Sequence, residues 1–263
     1  MHPANCLNCE TLINVGQNFC PHCGQKTNIH RLSFHEISHE VIHEVTHADK
    51  SIFKLLRDLV IKPGVVAREY LAGKRKKYFK PLSFFLIVAG IVVFITSSFY
   101  TPNTTRSRMM ESAAQRIQDP VKKQELLLMA NRTKKVSMIT GKYSNVINMI
   151  ATPFLTLLFW VFYRKHYNYT ESLVANMYFI GLIMIIYALL IVPLQNLLPK
   201  YSTYFIAAFF AFEIIYRGFA YYQFINKRGV WNIVKAYGVS FLITAVWVLI
   251  TYSLISKYVR TGF

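Results

Sequence analysis

Five apolar runs, at residues 82–100, 146–163, 173–198, 201–219 and 231–255, constrain this chain more than any other feature. Each is close to the ~20 residues that a helix needs to cross the hydrocarbon core of a bilayer. In lipid a backbone has no water to bond to, so runs of this length read as helices. They predict an all-α membrane protein with about five transmembrane helices. Short connections after the second, third and fourth runs predict antiparallel hairpins. Tyr163, Tyr167, Tyr169, Tyr201, Tyr204, Tyr221, Tyr222 and Trp231 lie near the ends of the runs, as an aromatic belt requires. The segment 101–145 between the first two runs is polar. It reads as a loop with amphipathic helices around 109–117 and 121–129, broken at Pro120. Residues 146–256 then form a four-helix transmembrane region.

The other strong signal is at the N-terminal end. All four cysteines fall in the first 23 residues, as Cys6-x-x-Cys9 and Cys20-x-x-Cys23, with ten residues between the pairs. This is the spacing of a Zn²⁺ ribbon, here over residues 1–26. Pro21 and Gly24 suit the turn of the second knuckle, and Gly16 the turn between the knuckles. About 25 residues cannot bury enough apolar surface to fold alone, so the metal takes the place of a core. In zinc-finger peptides, ligation is worth roughly 10–16 kcal/mol of folding energy. Four thiolates close the coordination shell and leave no position for water, which makes the site structural. A thioredoxin-like dithiol would need one C-x-x-C in an α/β context, which is missing. His22, inside the second knuckle, is read as facing solvent.

Residues 33–80 read as amphipathic juxtamembrane helices. Ser33 with Glu36 forms a capping box. Phe34, Ile37, Val41, Val45, Ile52, Leu55, Leu56 and Leu59 follow at helical spacing, and Pro63-Gly64 stops the helix. A second short amphipathic helix starts at Val65. The run His35-Glu36-x-x-His39-Glu40-x-x-His43-Glu44-x-x-His47 contains three overlapping H-E-x-x-H patterns. In zinc proteases that pattern sets two histidines on one helix face, with Glu as general base. Here each histidine advances about 40° round the helix, and Ile37, Val41 and Val45 lie roughly 200° away. The histidines therefore oppose the apolar stripe instead of lining a pocket. A third ligand and a dry cleft are not evident, which weighs against catalysis. A solvated or partner-facing stripe, a second metal site and a pH-sensing patch stay open for His35, His39, His43 and His47.

The net charge is +18. The basic residues cluster at the ends of apolar runs, which favours an anionic bilayer surface over nucleic acid. Lys74, Arg75, Lys76, Lys77 and Lys80 directly precede the first run, and the positive-inside rule places that side in the cytoplasm. Zinc thiolates also persist better in a reducing cytosol. Both arguments put the N-terminus inside. Segment 101–145, with nine Lys/Arg against three acids, opposes them. A re-entrant hairpin over 82–100 would return that segment to the cytoplasm. No signal-peptide pattern opens the chain, so the first run is read as an uncleaved anchor.

Glu213 and Arg217 lie four residues apart in the fourth run. Charges inside a membrane are functional candidates; the alternative is a pair internal to one helix. Lys235 can snorkel, and Asn148, Asn176 and Asn196 offer bonds between helices. Walker, G-x-S-x-G and nucleotide-binding patterns are absent.

One further pattern combines these pieces. A C-x-x-C…C-P-x-C-G ribbon (Cys6, Cys9, Cys20, Pro21, Cys23, Gly24) is followed by the stop at Pro63-Gly64. Then comes Arg68-Glu69-Tyr70-Leu71-x-Gly73-Lys74-Arg75-x-x-Tyr78-x-x-Pro81. The layout resembles an uncharacterised bacterial family of multi-pass membrane proteins with an N-terminal zinc ribbon, a domain of unknown function. The match covers roughly residues 1–90; beyond them only a count of hydrophobic segments is shared. The resemblance implies a multi-pass protein of the bacterial inner (cytoplasmic) membrane that binds zinc. It implies no reaction.

The expected function is therefore a binding, scaffold or regulatory component of a membrane assembly. The ribbon would recruit a protein partner, and a second copy of the chain is a further candidate. The alternatives are a small-solute transporter or channel subunit using Glu213 and Arg217, and a metalloenzyme on the histidine stripe.

Overall fold

The computed structural model describes residues 4–14, 16–28, 51–99 and 104–262. The expected helix start at Ser33 and the stripe His35, His39, His43 and His47 lie outside the described residues. Two short strands, β1 (Ala4–Asn5) and β2 (Leu12–Ile13), pair antiparallel in the ribbon. Among the described residues eight α-helices follow: α1 (Ser51–Ile61), α2 (Pro63–Leu71), α3 (Pro81–Phe99), α4 (Thr105–Gln115), α5 (Pro120–Tyr163), α6 (Tyr169–Leu197), α7 (Ser202–Ile225) and α8 (Val230–Thr261). Five of these segments are long and apolar enough to cross a membrane: α3, residues Val146–Tyr163 of α5, α6, Pro199–Ile225 including α7, and α8. The chain is thus a multi-pass, all-α membrane protein with a small cysteine cluster at its N-terminal end.

Helix α6 is the centre. Every residue from Glu171 to Met184 is buried, and α1, α2, α3, α5 and α7 all contact it. Its start is fixed by a capping box in which Asn168 and Glu171 bond to each other's backbone N–H. Near its far end the helix widens into a π turn over Tyr187–Ile191. Pro193 explains the widening: its ring would press on the carbonyl one turn back, and it has no N–H to close an ordinary turn.

The α3 helix packs along α6. At one end the Tyr178 hydroxyl of α6 donates to the Phe79 carbonyl, just before α3, at 2.6 Å. At the other, the Asn196 side-chain amide donates to the Phe99 carbonyl. A continuous helix that runs from the level of Tyr178 to the far end of α6 at Asn196 does not turn back, so the re-entrant arrangement is not the one observed. The first of these contacts also shows that α6 overruns the start of α3. From Tyr169 to Tyr178 it rises about 14 Å, at ~1.5 Å per residue.

The space above α3 is filled by α1 and α2. Helices α6 and α7 contact each other as the expected antiparallel pair, and α2 packs against both of them. On α2, Pro63, Gly64, Val66, Ala67 and Tyr70 are buried, so the short amphipathic helix is a packed wedge and not a surface float. Its first turn meets α7 at van der Waals limit. A Cβ on Gly64 would lie 2.2 Å from the Phe224 nitrogen and 2.5 Å from the Ala220 carbonyl oxygen. The Gly64 N–H donates to the Gln223 side chain at 3.2 Å, and the Tyr216 hydroxyl donates to the Leu59 carbonyl at 3.0 Å. The break between α1 and α2 falls at Lys62, directly before Pro63, where the sequence placed a stop.

Segment 104–145 differs from the expected loop. Helix α4 and the first half of α5 pack as a hairpin, and the second amphipathic piece does not end at Met129 but runs unbroken to Tyr163. Asp119 caps it, accepting from the Val121 N–H at 2.9 Å, and Pro120 occupies the first turn, where its missing N–H costs nothing. The end of α8 packs on this hairpin, with the Arg132 guanidinium donating to the Val259 and Arg260 carbonyls at 3.3 and 3.0 Å. A cation suits the carbonyl end of a helix.

Candidate metal centre and the turn it docks on

The two knuckles repeat one hydrogen-bond scheme. Cys6 N–H donates to the Thr11 carbonyl at 2.9 Å, and Cys20 N–H to the Gln25 carbonyl at 2.8 Å. Within the loops, Glu10 N–H donates to the Cys6 carbonyl at 2.8 Å, and Gly24 N–H to the Cys20 carbonyl at 2.9 Å. The residue after each second cysteine takes a left-handed conformation, Glu10 at φ 63° and Gly24 at φ 68°. Gly24 adopts it without strain; Glu10 carries a Cβ penalty that the closed knuckle overrides.

This scheme turns all four sulfurs inward. Their Sγ atoms lie within 4.8 Å of one another, with Cys6–Cys23 and Cys9–Cys20 both at 3.6 Å. A disulfide would need ~2.04 Å, and the four are free thiols. Four sulfurs at ~2.3 Å from one ion stand roughly 3.8 Å apart by tetrahedral geometry. The cluster therefore fits a metal ion held by four thiolates. Among the described residues, Ile13 is the one apolar side chain besides the cysteines that is buried in the ribbon, so an ion supplies what apolar packing cannot. Hydrogen bonds from the Thr11 hydroxyl and N–H lower the Cys9 thiol to about 5, favouring the thiolate. Burial pushes Cys23 up to about 11, so its deprotonation depends on the ion. His22 is exposed.

The ribbon is held on the membrane bundle by Gln25, a residue the sequence reading passed over. It is buried, and its amide bridges the turn between α2 and α3: Nε2 donates to the Gly73 carbonyl at 2.6 Å, and Oε1 accepts from the Lys76 N–H at 3.2 Å. Gln25 also closes the second knuckle through its backbone carbonyl. One residue thus belongs to both the metal cluster and the basic turn. Nothing in the sequence marks it, because its partner is 48 residues away.

The same turn explains the Arg-Glu-Tyr-Leu-x-Gly-Lys-Arg-x-x-Tyr pattern physically. The Glu69 carboxylate accepts from Lys77 at 2.5 Å, Tyr78 at 2.6 Å and Lys74 at 3.4 Å. The Tyr78 hydroxyl also lies 3.3 Å from Asp58 of α1. Asp58 is buried between Leu55 and Leu59. An acid at that place on an apolar stripe was the available signal for it. Tyr70 packs edge-on against Tyr178, with ring centroids 5.8 Å apart. Of the five basic residues, Lys74 and Lys77 pair with Glu69, Lys76 is exposed, and Arg75 and Lys80 are partly buried.

Burial alone would raise the Glu69 carboxyl, but Lys77, Tyr78 and Lys74 outweigh it and hold the group down to about 2. Burial and the neighbouring Glu69 push Tyr78 above its ordinary range. A depressed carboxyl stabilises the fold above its unfolded value and loses that contribution as pH falls through the folded one. The turn is thus expected to loosen between about pH 4.5 and pH 2. The Glu69→Gln variant should lack this part of the acid melting curve, a difference that comparing the two proteins' melting temperatures across that range measures.

Residues 49–93 match a family model described as a protein of unknown function, DUF3667. The chain is similar to that family over this segment. It contains α1, α2, the basic turn and most of α3, and so the whole Gly64, Glu69 and Tyr78 assembly. No curated protein matches the chain, and no solved structure does.

The charges of the fourth apolar run lie on α7. Glu213 and Arg217 pair within α7, and Arg217 donates to the Thr244 hydroxyl of α8 at 3.3 Å. Glu213 stands at the middle of α7 and Arg217 is buried one turn on. Beside the α7 residues that the wedge touches, Tyr221 of α7 donates to Asn176 of α6 at 2.9 Å. Lys235 donates to the Phe162 carbonyl at the end of α5, at 3.1 Å.

Proposed function

We propose that this chain is a protein of the bacterial inner membrane whose cytosolic zinc ribbon acts as a metal-dependent latch on the membrane bundle, within a binding, scaffold or regulatory component of a larger assembly. The Gln25 bridge carries this reading. It makes the ribbon part of the bundle's end surface and ties the order of the basic turn to the metal. Zinc is favoured because four thiolates in a closed tetrahedron suit it and leave no open position for chemistry. The cytosolic side is favoured because the basic turn directly precedes the first membrane helix and thiolate ligation persists in a reducing compartment; the nine Lys/Arg of segment 101–145 weigh the other way. Leu7, Leu12 and Phe19 are exposed on the ribbon and offer an apolar face to a protein partner.

Metal removal tests the latch. In the detergent-solubilised chain a chelator should open Lys74–Lys77 to trypsin, while the helical content of the bundle holds. Unchanged protection of that turn after metal loss would remove the proposal. The purified chain should contain one zinc; a second would revive a metal site on the histidine stripe.

A second reading, solute passage through the bundle, draws on one observation. The Arg217 Nε is buried without a hydrogen-bond partner among the described residues, a group that a polar ligand could engage. It predicts solute flux in proteoliposomes that Arg217→Lys alters; flux indifferent to that change contradicts it.

A further inference from the structure

The outer face of α1 and the basic turn enclose an open cleft lined by Phe53, Lys54, Arg57, Asp58, Lys62 and Lys77. Four of these side chains are cationic and one is acidic. Asp58 forms the floor; its side chain is 4% exposed, with Lys62 at 3.7 Å and Arg57 at 4.0 Å. Those distances give Coulomb attraction without hydrogen bonds. Lys54, Arg57 and Lys62 donate no side-chain hydrogen bond among the described residues. A guanidinium brings five donors and an ammonium three, so the cleft holds unspent donors around a net positive charge. Lys77 forms the inner wall, fixed by Glu69.

The surroundings say which anion fits. Phe53, Val60 and Ile61 are 75%, 59% and 59% exposed. At 100° per residue they share the outer face of α1 with Arg57 and Lys54. Exposed apolar side chains beside cations on one helix face suit the boundary of headgroups and acyl chains. The level agrees. Tyr78, which contacts Asp58, lies three residues before Pro81, where α3 begins. The Gly73–Lys80 turn beside the cleft is the basic stretch that enters the first membrane helix.

We propose that this cleft binds the phosphate of an anionic glycerophospholipid, with Arg57, Lys54 and Lys62 as phosphate donors and Phe53 against the glycerol and upper acyl chain. Phosphate is the shared chemistry of a lipid headgroup and a soluble phosphorylated compound; the exposed apolar wall favours the lipid. The site is separate from the cysteine cluster, and its three phosphate donors lie on α1 and at Lys62, outside the turn that the ribbon orders.

The test is a titration of the full-length, metal-loaded protein in neutral detergent, read by native mass spectrometry. One arm uses dihexanoyl phosphatidylglycerol, a second glycerol 3-phosphate, and a third inorganic phosphate. Phosphatidylglycerol should bind most tightly. Arg57→Gln and Lys62→Gln should each weaken it about tenfold or more, the scale of one charge-assisted bond. Lys54→Gln, at an exposed position, gives a second variant with no risk to the fold. Phe53→Ala should weaken the lipid and not the phosphate. Lys76→Gln, an exposed cation outside the cleft, should leave affinity unchanged. Equal loss at Lys76 would show plain surface charge and overturn the site. Inorganic phosphate binding as tightly as the lipid would overturn the lipid assignment.

Discussion

Replacing Gly64 by alanine should lower the melting temperature of the whole bundle, and valine should prevent its assembly. The added Cβ meets the Phe224 nitrogen at 2.2 Å and both the Ala220 oxygen and the Gln223 Cβ at 2.5 Å. Two of these atoms are backbone and the third is a Cβ, so no rotamer change relieves the clash. Overpacking of this kind costs about 1–3 kcal/mol, and more where neighbours cannot move. Here α2 must back away from α7, which also strains the Tyr216–Leu59 bond and the seat of α1. Gly90 and Gly238 are the controls, since a Cβ there meets nothing within 4 Å. Alanine at either should be neutral or raise stability by about 0.5–1 kcal/mol, the usual gain of Gly→Ala inside a helix. Thermal unfolding of the three variants in one detergent makes the comparison. Equal melting of all three would mean that α2 is not wedged against α7.

The second large effect is expected at the cysteines. Cys20→Ser removes one of four thiolates and, with it, the second knuckle's ligand next to Pro21. Because ligation supplies roughly 10–16 kcal/mol in comparable peptides, and among the described residues Ile13 is the ribbon's one buried apolar side chain besides the cysteines, its residual packing cannot hold it folded. Metal content should fall from one ion per chain to none. The bundle should survive, because its core, from Leu55 to Ile243, is a separate cluster that includes no ribbon residue. Metal analysis together with far-ultraviolet circular dichroism checks both halves. A folded, metal-bearing Cys20→Ser protein would contradict the four-thiolate centre.

These effects show which parts of the molecule its sequence discloses. The membrane helices were legible because burial in lipid demands long apolar runs, and a run of that length has one regular solution. The cysteine cluster was legible because metal geometry restricts spacing. The continuity of α5 was not. Its first half is polar and its second apolar, so composition changes at residue 146 while the backbone does not. The burial of α2 was hidden for a different reason. A nine-residue segment such as PGVVAREYL has an amphipathic pattern whether it floats or packs, and the decisive contact is with residues far along the chain. Glu69 and Tyr78 stood inside a recognisable pattern, whose meaning, a clamp on the turn, came only with the Lys74, Lys77 and Asp58 contacts. Gln25 was invisible, because a single amide that bonds two backbone groups leaves no periodic trace.

Gln25 is also where the central claim is most exposed to test. Backbone amide exchange over residues 73–78, followed by mass spectrometry, can be compared in the metal-loaded chain, the chelated chain and the Gln25→Ala variant. The latch predicts slow exchange in the first and faster exchange in the other two, with Gln25→Ala still holding its metal. Equally slow exchange in all three would show that the ribbon and the membrane bundle are uncoupled, and the latch would be wrong.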